Sequence, residues 1–330
     1  MPANVQTYIG RESAWHKLGV VTGQYFTWQD ALRDGGLDFQ VFKSQLKDGL
    51  NRPVPAWGTF RWNTPDVAAK RPEASIFLGT VGQDYKVIPH ASGFELVDAL
   101  VASTDGAHYE TAGVLGQGEV VWGCADLNLS TSILGDEHKH YLLFHTSHDG
   151  SYSYEFRDCD TRVVCQNTLN CALSEKTRNK LKIRHTKSAP ERIIEAKSAL
   201  ELYRNDVATL QYKLETMARR SVQRDTVTVL MDKLFPVKTK EDGSQESSTR
   251  RNNILAGILT RFESNDGNAI PGIRGTAYNL LNGVTEWVDH DRATETQSAL
   301  FGSGDKLKLV AFSTLLGLVP SMPEMAVVRR

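Results

Sequence analysis

Lys176, Arg178, Lys180, Lys182 and Arg184 recur on every second residue. In an extended chain alternate side chains point the same way, so these five cations line one face of one strand. A strand with such a face belongs at a sheet margin. From Arg157 to Lys187 there are eight Lys/Arg against three Asp/Glu, in a chain of formal net charge −1. Positive charge concentrated in one strip of a balanced protein points to an anionic partner. The plainer reading is a solvated edge strand, where lysines deter edge-to-edge pairing. Six cations and no acid between Lys176 and Lys187 exceed what that needs.

A chain of 330 residues can bury a substantial core, and its 40% hydrophobic and 23% charged content is ordinary for a soluble globular protein. No apolar run approaches the roughly 20 residues of a membrane span, and no charged n-region precedes an apolar stretch near Met1. The expected setting is the cytoplasm, without a membrane partner. Cys124, Cys159, Cys165 and Cys171 form no CxxC pair and are read as buried small hydrophobes.

The chain is read as four segments: a cap over 1–50, a core over 51–235, a mobile linker over 236–250 and a helical region over 251–330. In the cap, Thr27 is placed to start a helix through Arg33, with Gly35-Gly36 to stop it. Strands are predicted over Pro55–Trp62, Ser75–Val81, Tyr85–Ile88, Tyr109–Leu115 and Val120–Leu129. A hairpin pairs Tyr141–Thr146 with Tyr152–Phe156 around His148-Asp149-Gly150. Ser92 and Glu95 read as a capping box for a helix with Phe94, Val97, Leu100 and Val101 inward. Val163–Leu173 reads as a buried strand or a short helix. Ser188 and Glu191 repeat the box before a long helix whose stripe is Ile193, Leu200, Tyr203, Val207, Leu210, Leu214 and Met217. That stripe suits either the sheet or a neighbouring subunit. Further helices are predicted over Asn253–Phe262, Ala277–Val288 and Lys306–Leu316. The fold class is α+β: a mostly antiparallel sheet with an inserted helix, backed by a long helix, plus a C-terminal helical region.

Several groups carry candidate chemistry. Tyr152, Tyr154 and Phe156 alternate on one strand; they pack a core or, for Tyr152 and Tyr154, stack unpaired bases. His138, His140, His145 and His148 cluster on a hairpin read as solvated, with metal ligation as the alternative. Arg157, Asp158, Asp160 and Arg162 read as an ion-pair network in which the acids position the arginines; acid/base work is the alternative. Gln166 and Asn167 are polar in an apolar segment, fit to bond a base or a phosphate or to cap a helix. Walker A, GxGxxG, GxSxG and HExxH patterns do not occur.

Ala14–Gly19, the run Asp160-Thr161-Arg162-Val163-Val164-Cys165-Gln166-Asn167-Thr168-Leu169, then Arg184–Lys187, and finally Gly275–His290 together resemble the phage/plasmid-like protein family, a domain-of-unknown-function family of mobile elements. The resemblance spans about residues 10–318 and implies work on replicating or recombining DNA. In coarse architecture the chain is also similar to single-strand annealing recombinases of the RecT and Red-beta type, a fold-level analogy. The expectation is a cofactor-free protein that binds and anneals single-stranded DNA and assembles with itself, as a ring or filament. Arg157, Arg162, Lys176, Arg178, Lys180, Lys182, Arg184 and Lys187 hold phosphates, and Tyr152, Tyr154, Gln166 and Asn167 meet bases. The alternatives are a metal-dependent or nucleotide-handling enzyme using Asp158, Asp160 and the histidines, and a structural protein that assembles through its long helix.

Overall fold

The structure, a computed structural model, describes residues 5–10, 20–21, 27–63, 74–162, 168–171, 182–200, 203–237, 248–264, 270–292 and 302–318. Two short strands come first, β1 (Val5–Gly10) and β2 (Val20–Val21). Helix α1 (Trp28–Asp34) starts where Thr27 predicts. Its capping box is complete, with Asp30 as the returning acid, because a hydroxyl and a carboxylate satisfy the free N–H groups of the first turn. Three strands follow: β3 (Phe39–Lys47), β4 (Pro53–Asn63) and β5 (Ile76–Val81). After α2 (Ala91–Ala102) come β6 (His108–Leu115), β7 (Val120–Ile133), β8 (Asp136–Ser147) and β9 (Tyr154–Arg162). The margin is made of β10 (Thr168–Cys171) and β11 (Lys182–Ile183). Helices then complete the chain: α3 (Ala189–Leu200), α4 (Tyr203–Ala218), α5 (Arg224–Leu234), α6 (Thr249–Ser264), α7 (Ala277–Glu286) and α8 (Ser303–Gly317). A π turn, Trp287–Asp291, extends α7.

Among the described residues the main sheet runs β10-β9-β8-β7-β6-β1-β2, with β11 on the same edge of β9 as β10. Every pairing in it is antiparallel except β1 with β2. The second sheet is antiparallel, β3-β4-β5. It is fastened to the main sheet where Thr59 Oγ1 donates to the His148 carbonyl at 2.6 Å. The α+β class and its antiparallel sheet are therefore as the sequence reads.

Period-two alternation gives the main sheet two different faces. On one, Tyr109, Val121, Ala125, Leu142, Phe144, Tyr154 and Phe156 pack with Phe94 and Val97 of α2. The other carries Leu115, Val120, Trp122, Cys124, Leu143 and Cys159. The helices form a separate core, in which Leu210, Leu214 and Met217 of α4 meet Leu230, Ile258, Tyr278, Leu281 and Leu315.

The sheet core and the helical core share the long-helix stripe, Val207 in the first and Leu210, Leu214 and Met217 in the second. Val207, Leu210, Leu214 and Met217 are buried within the chain, so this part of the stripe is not an assembly surface. The side chains of Leu200 and Tyr203 lie outside the described residues. Two local readings are corrected. The Ser92–Glu95 box does not form, because the helix begins two residues earlier. His90 is the N-cap, and its ring is spent elsewhere, on the Leu37 carbonyl at 2.7 Å and on His148 at 3.2 Å. Tyr85–Ile88 is not a strand; the Lys86 backbone pairs with His185 instead of extending a ladder. The strands β1 and β2 and the helix α5 carry no pattern strong enough to announce them.

Gly93 of α2 lies directly against Phe144, and a Cβ added there would overlap the ring. Overfilled cores lose about 1–3 kcal/mol. Gly93→Ala should lower the unfolding free energy from denaturant titration by that amount; a value unchanged from the wild-type protein would show that the helix can lift off the sheet freely.

Candidate nucleic-acid interface

The described end of the basic strip follows the predicted alternation. Lys182, Arg184 and Thr186 are exposed, while Ile183 and His185 between them are buried. Ile183 joins the first core. His185 Nδ1 donates to the Lys86 carbonyl at 3.0 Å, which leaves Nε2 to accept from Thr146 Oγ1 at 3.2 Å. Its ring also stacks on Tyr85 with centroids 4.6 Å apart. These inward contacts hold the outward cations at the margin. The Lys86 N–H donates to the His185 carbonyl at 2.9 Å, which adds an exposed Lys86 to the strip; sequence distance hides it. Lys187 is also exposed, and neither it nor Arg184 forms an ion pair among the described residues. Lys176, Arg178, Lys180, Gln166 and Asn167 lie outside the described residues, and Arg162 is described in its backbone only.

Two expected phosphate ligands are engaged internally. Lys182 Nζ sits 2.7 Å from Glu155 Oε1, although its side chain is 49% exposed. Arg157 holds Glu155 at 2.9 Å and Asp305 of α8 at 2.5 Å. Tyr154 is fully buried against Phe144 and Phe156, so it belongs to the core and not to a base-stacking surface. Tyr152 is half-buried beside His145, and its carbonyl and N–H both bond the Ser147 hydroxyl.

The histidine hairpin is the largest departure from the sequence reading. His138, His140, His145 and His148 are all buried. Parity on β9 sends Asp158 and Asp160 to the face opposite Arg157, so they pair with histidines and not with that arginine. His138 Nδ1 lies 2.8 Å from both Asp160 oxygens. On its other side Nε2 meets the Tyr278 hydroxyl at 2.5 Å, and that hydroxyl donates to Asp136 Oδ2 at 2.6 Å. His140 stands 3.7 Å from Asp158 and contacts Thr131. No member of this group is more than 2% exposed. It ties β8 and β9 to α7 and offers no face to a substrate. Nothing in the sequence places Tyr278, 140 residues away, beside His138.

The two cysteines described in full, Cys124 and Cys159, are buried, and burial pushes both thiols well up, which suits packing and not nucleophilic work. One histidine–carboxylate group with ligand atoms in metal-binding proximity occurs among the described residues. It is His108, Glu110 and Asp126, on the sheet face away from the His138 network.

The family model for a domain of unknown function, DUF932, matches residues 77–306. The chain belongs to this family. No curated protein and no solved structure matches it at a significant level. Of the stretches that carry the sequence resemblance, two meet in space, where Asp160 and Tyr278 bracket His138; His185 of a third anchors the basic margin, and Ala14–Gly19 lies outside the described residues. No helix among the described residues is long and apolar enough to cross a membrane.

Two predictions follow from the buried polar groups. Tyr278→Phe removes the hydroxyl that joins His138 to Asp136 and should cost about 1–3 kcal/mol, read by chemical denaturation; a neutral effect would mean the network bears no load. Burial holds His90 down at about 4 and His145 at about 3, and pushes His148 and His185 down as well. The unfolded chain takes up these protons near pH 6.5, whereas the folded chain does not. Stability is therefore full above pH 6.5 and falls as pH drops towards 4, by about 1.4 kcal/mol per pH unit for each such histidine. His140 acts in the opposite sense: burial opposes its charge, but Asp158 and Asp160 raise it. Unfolding midpoints between pH 7 and 5 should fall, and His145→Gln should flatten the slope; a pH-independent midpoint contradicts the assignment.

Proposed function

We propose that this DUF932 protein binds single-stranded DNA along the β11 margin and promotes its pairing, in the phage or plasmid setting that its sequence resembles. The observation that carries the reading is the alternation at 182–186, which turns Lys182 and Arg184 outward and anchors the residues between them. Lys86 and Lys187 widen the positive edge. A row of cations spaced along a strand matches the repeating charge of a phosphate backbone and confers affinity without reading sequence. Arg157 acts behind this row: through Glu155 it holds Lys182 in place. Self-assembly on DNA, as a ring or filament, belongs to the same reading and places the strands with their bases open to a complement.

Arg184→Glu with Lys187→Glu should weaken binding to an unstructured oligonucleotide at least tenfold. Each lost phosphate contact should flatten the log–log salt slope by about 0.7. Fluorescence anisotropy across a salt series measures both. Unchanged affinity and slope in a folded double variant sink the proposal and leave the strip as a solvated edge.

A further inference from the structure

We propose that His108, Glu110 and Asp126 form a binding site for one divalent metal ion, of the kind that takes mixed nitrogen and carboxylate ligands, such as Mn²⁺ or Zn²⁺. The backbone builds the cluster. His108 on β6 and Asp126 on β7 are cross-strand partners, so their side chains share a face. The β6 register shifts between Tyr109 and Thr111, which inserts Glu110 as an extra residue against β7. That bulge brings the Glu110 carboxylate to the same place, and one ligand atom from each of the three residues lies within 4.8 Å of the others. Glu110 and Asp126 are only 9% and 6% exposed.

The hydrogen bonding of His108 points to a cation independently. Its Nδ1 is 3.1 Å from the Gly106 carbonyl, which can only accept, so Nδ1 carries the proton. In the neutral ring, Nε2 then presents a lone pair, yet it faces Glu110 Oε2 at 3.1 Å. Two acceptors meet at that distance only with a proton between them or a metal ion between or beside them. A ring N–H donated to a backbone carbonyl while the other nitrogen faces carboxylates is the usual outer support of a metal-bound histidine. Asp126 Oδ1 is oriented in the same manner by the Asn128 N–H at 2.8 Å. On the same face, one cross-strand pair further along, Thr111 Oγ1 is buried and has no hydrogen-bond partner among the described residues. A water on the metal would give it one. Three protein ligands leave positions open for such a water or for an oxygen of a bound anion. The sequence pattern implies no cofactor, and this cluster is where one would enter.

The test uses full-length protein, stripped with chelator and free of DNA, titrated with MnCl₂ and separately with ZnCl₂ by calorimetry, with melting followed in parallel. One equivalent should bind at the site and raise the melting temperature. Asp126→Asn, which keeps shape and the Asn128 bond, and His108→Ala should each weaken binding at least tenfold. Failure of the wild-type protein to bind either ion saturably at up to about millimolar metal overturns the proposal and leaves His108 simply hydrogen-bonded to Glu110, whatever the variants do. Binding that both folded variants retain overturns it too. Because no DNA is present, either outcome is separate from that of the oligonucleotide experiment.

Discussion

Everything in this fold hangs on the β8–β9 ladder and its period of two. Phe144 opposite Phe156 and His140 opposite Asp160 share one face, while His145 opposite Glu155 shares the other. The first face is apolar towards α2 and polar towards α7. Its polar part is a chain of buried hydrogen bonds through Asp160, His138, Tyr278 and Asp136. Buried carboxylates and imidazoles are costly unless each finds a partner. The same demand makes the arrangement specific. A slip of one residue between the strands would turn His138 and His140 away from Asp160 and Asp158 and place Phe144 on the wrong side.

On the opposite face Glu155 plays the corresponding part. It receives Arg157 and Lys182, and Arg157 continues to Asp305 of α8. One carboxylate thus links the margin strand, its neighbour in the sheet and the C-terminal helices. Lys308, fully buried one turn along α8, reaches Asp289 at 2.8 Å and carries the same pattern into the helical core. The buried members are the costly ones: removing their partners would leave the Glu155, Asp305 or Lys308 charge away from water, whereas Lys182 stays open to solvent.

What was legible in the sequence is what depends on local periodicity. Thr27 and Asp30 mark a helix start because capping involves neighbours only. The hairpin at His148–Gly150, the inward face of α2 and the alternation at Lys182–His185 are local for the same reason. The site's interior was not legible. Polar residues on a strand suggest solvent, and His138 and His140 reach the interior because α7 arrives over them from far along the chain. Asp158 and Asp160 look like partners of Arg157 in sequence, but strand geometry puts adjacent residues on opposite faces, so proximity in sequence separates them in space. Glu110 is hidden differently: a bulge breaks the period that pattern reading relies on.

The exterior margin follows from this interior. An isolated strand of lysines and arginines repels itself and has no reason to stay extended. Here Ile183 sinks into the core and His185 is fixed by Lys86, Thr146 and Tyr85, so the backbone between them is held in register. A cation on such a support loses little further freedom when an anion arrives, so more of the electrostatic attraction survives as affinity. Lys182 differs from Arg184 in this respect. Its ammonium already neutralises Glu155, and a phosphate would have to share it, whereas Arg184, two residues on, has no ion-pair partner among the described residues. On the proposed reading, binding at the edge would rest on Arg184, Lys187 and Lys86, while Lys182 serves mainly to lock the strand that displays them.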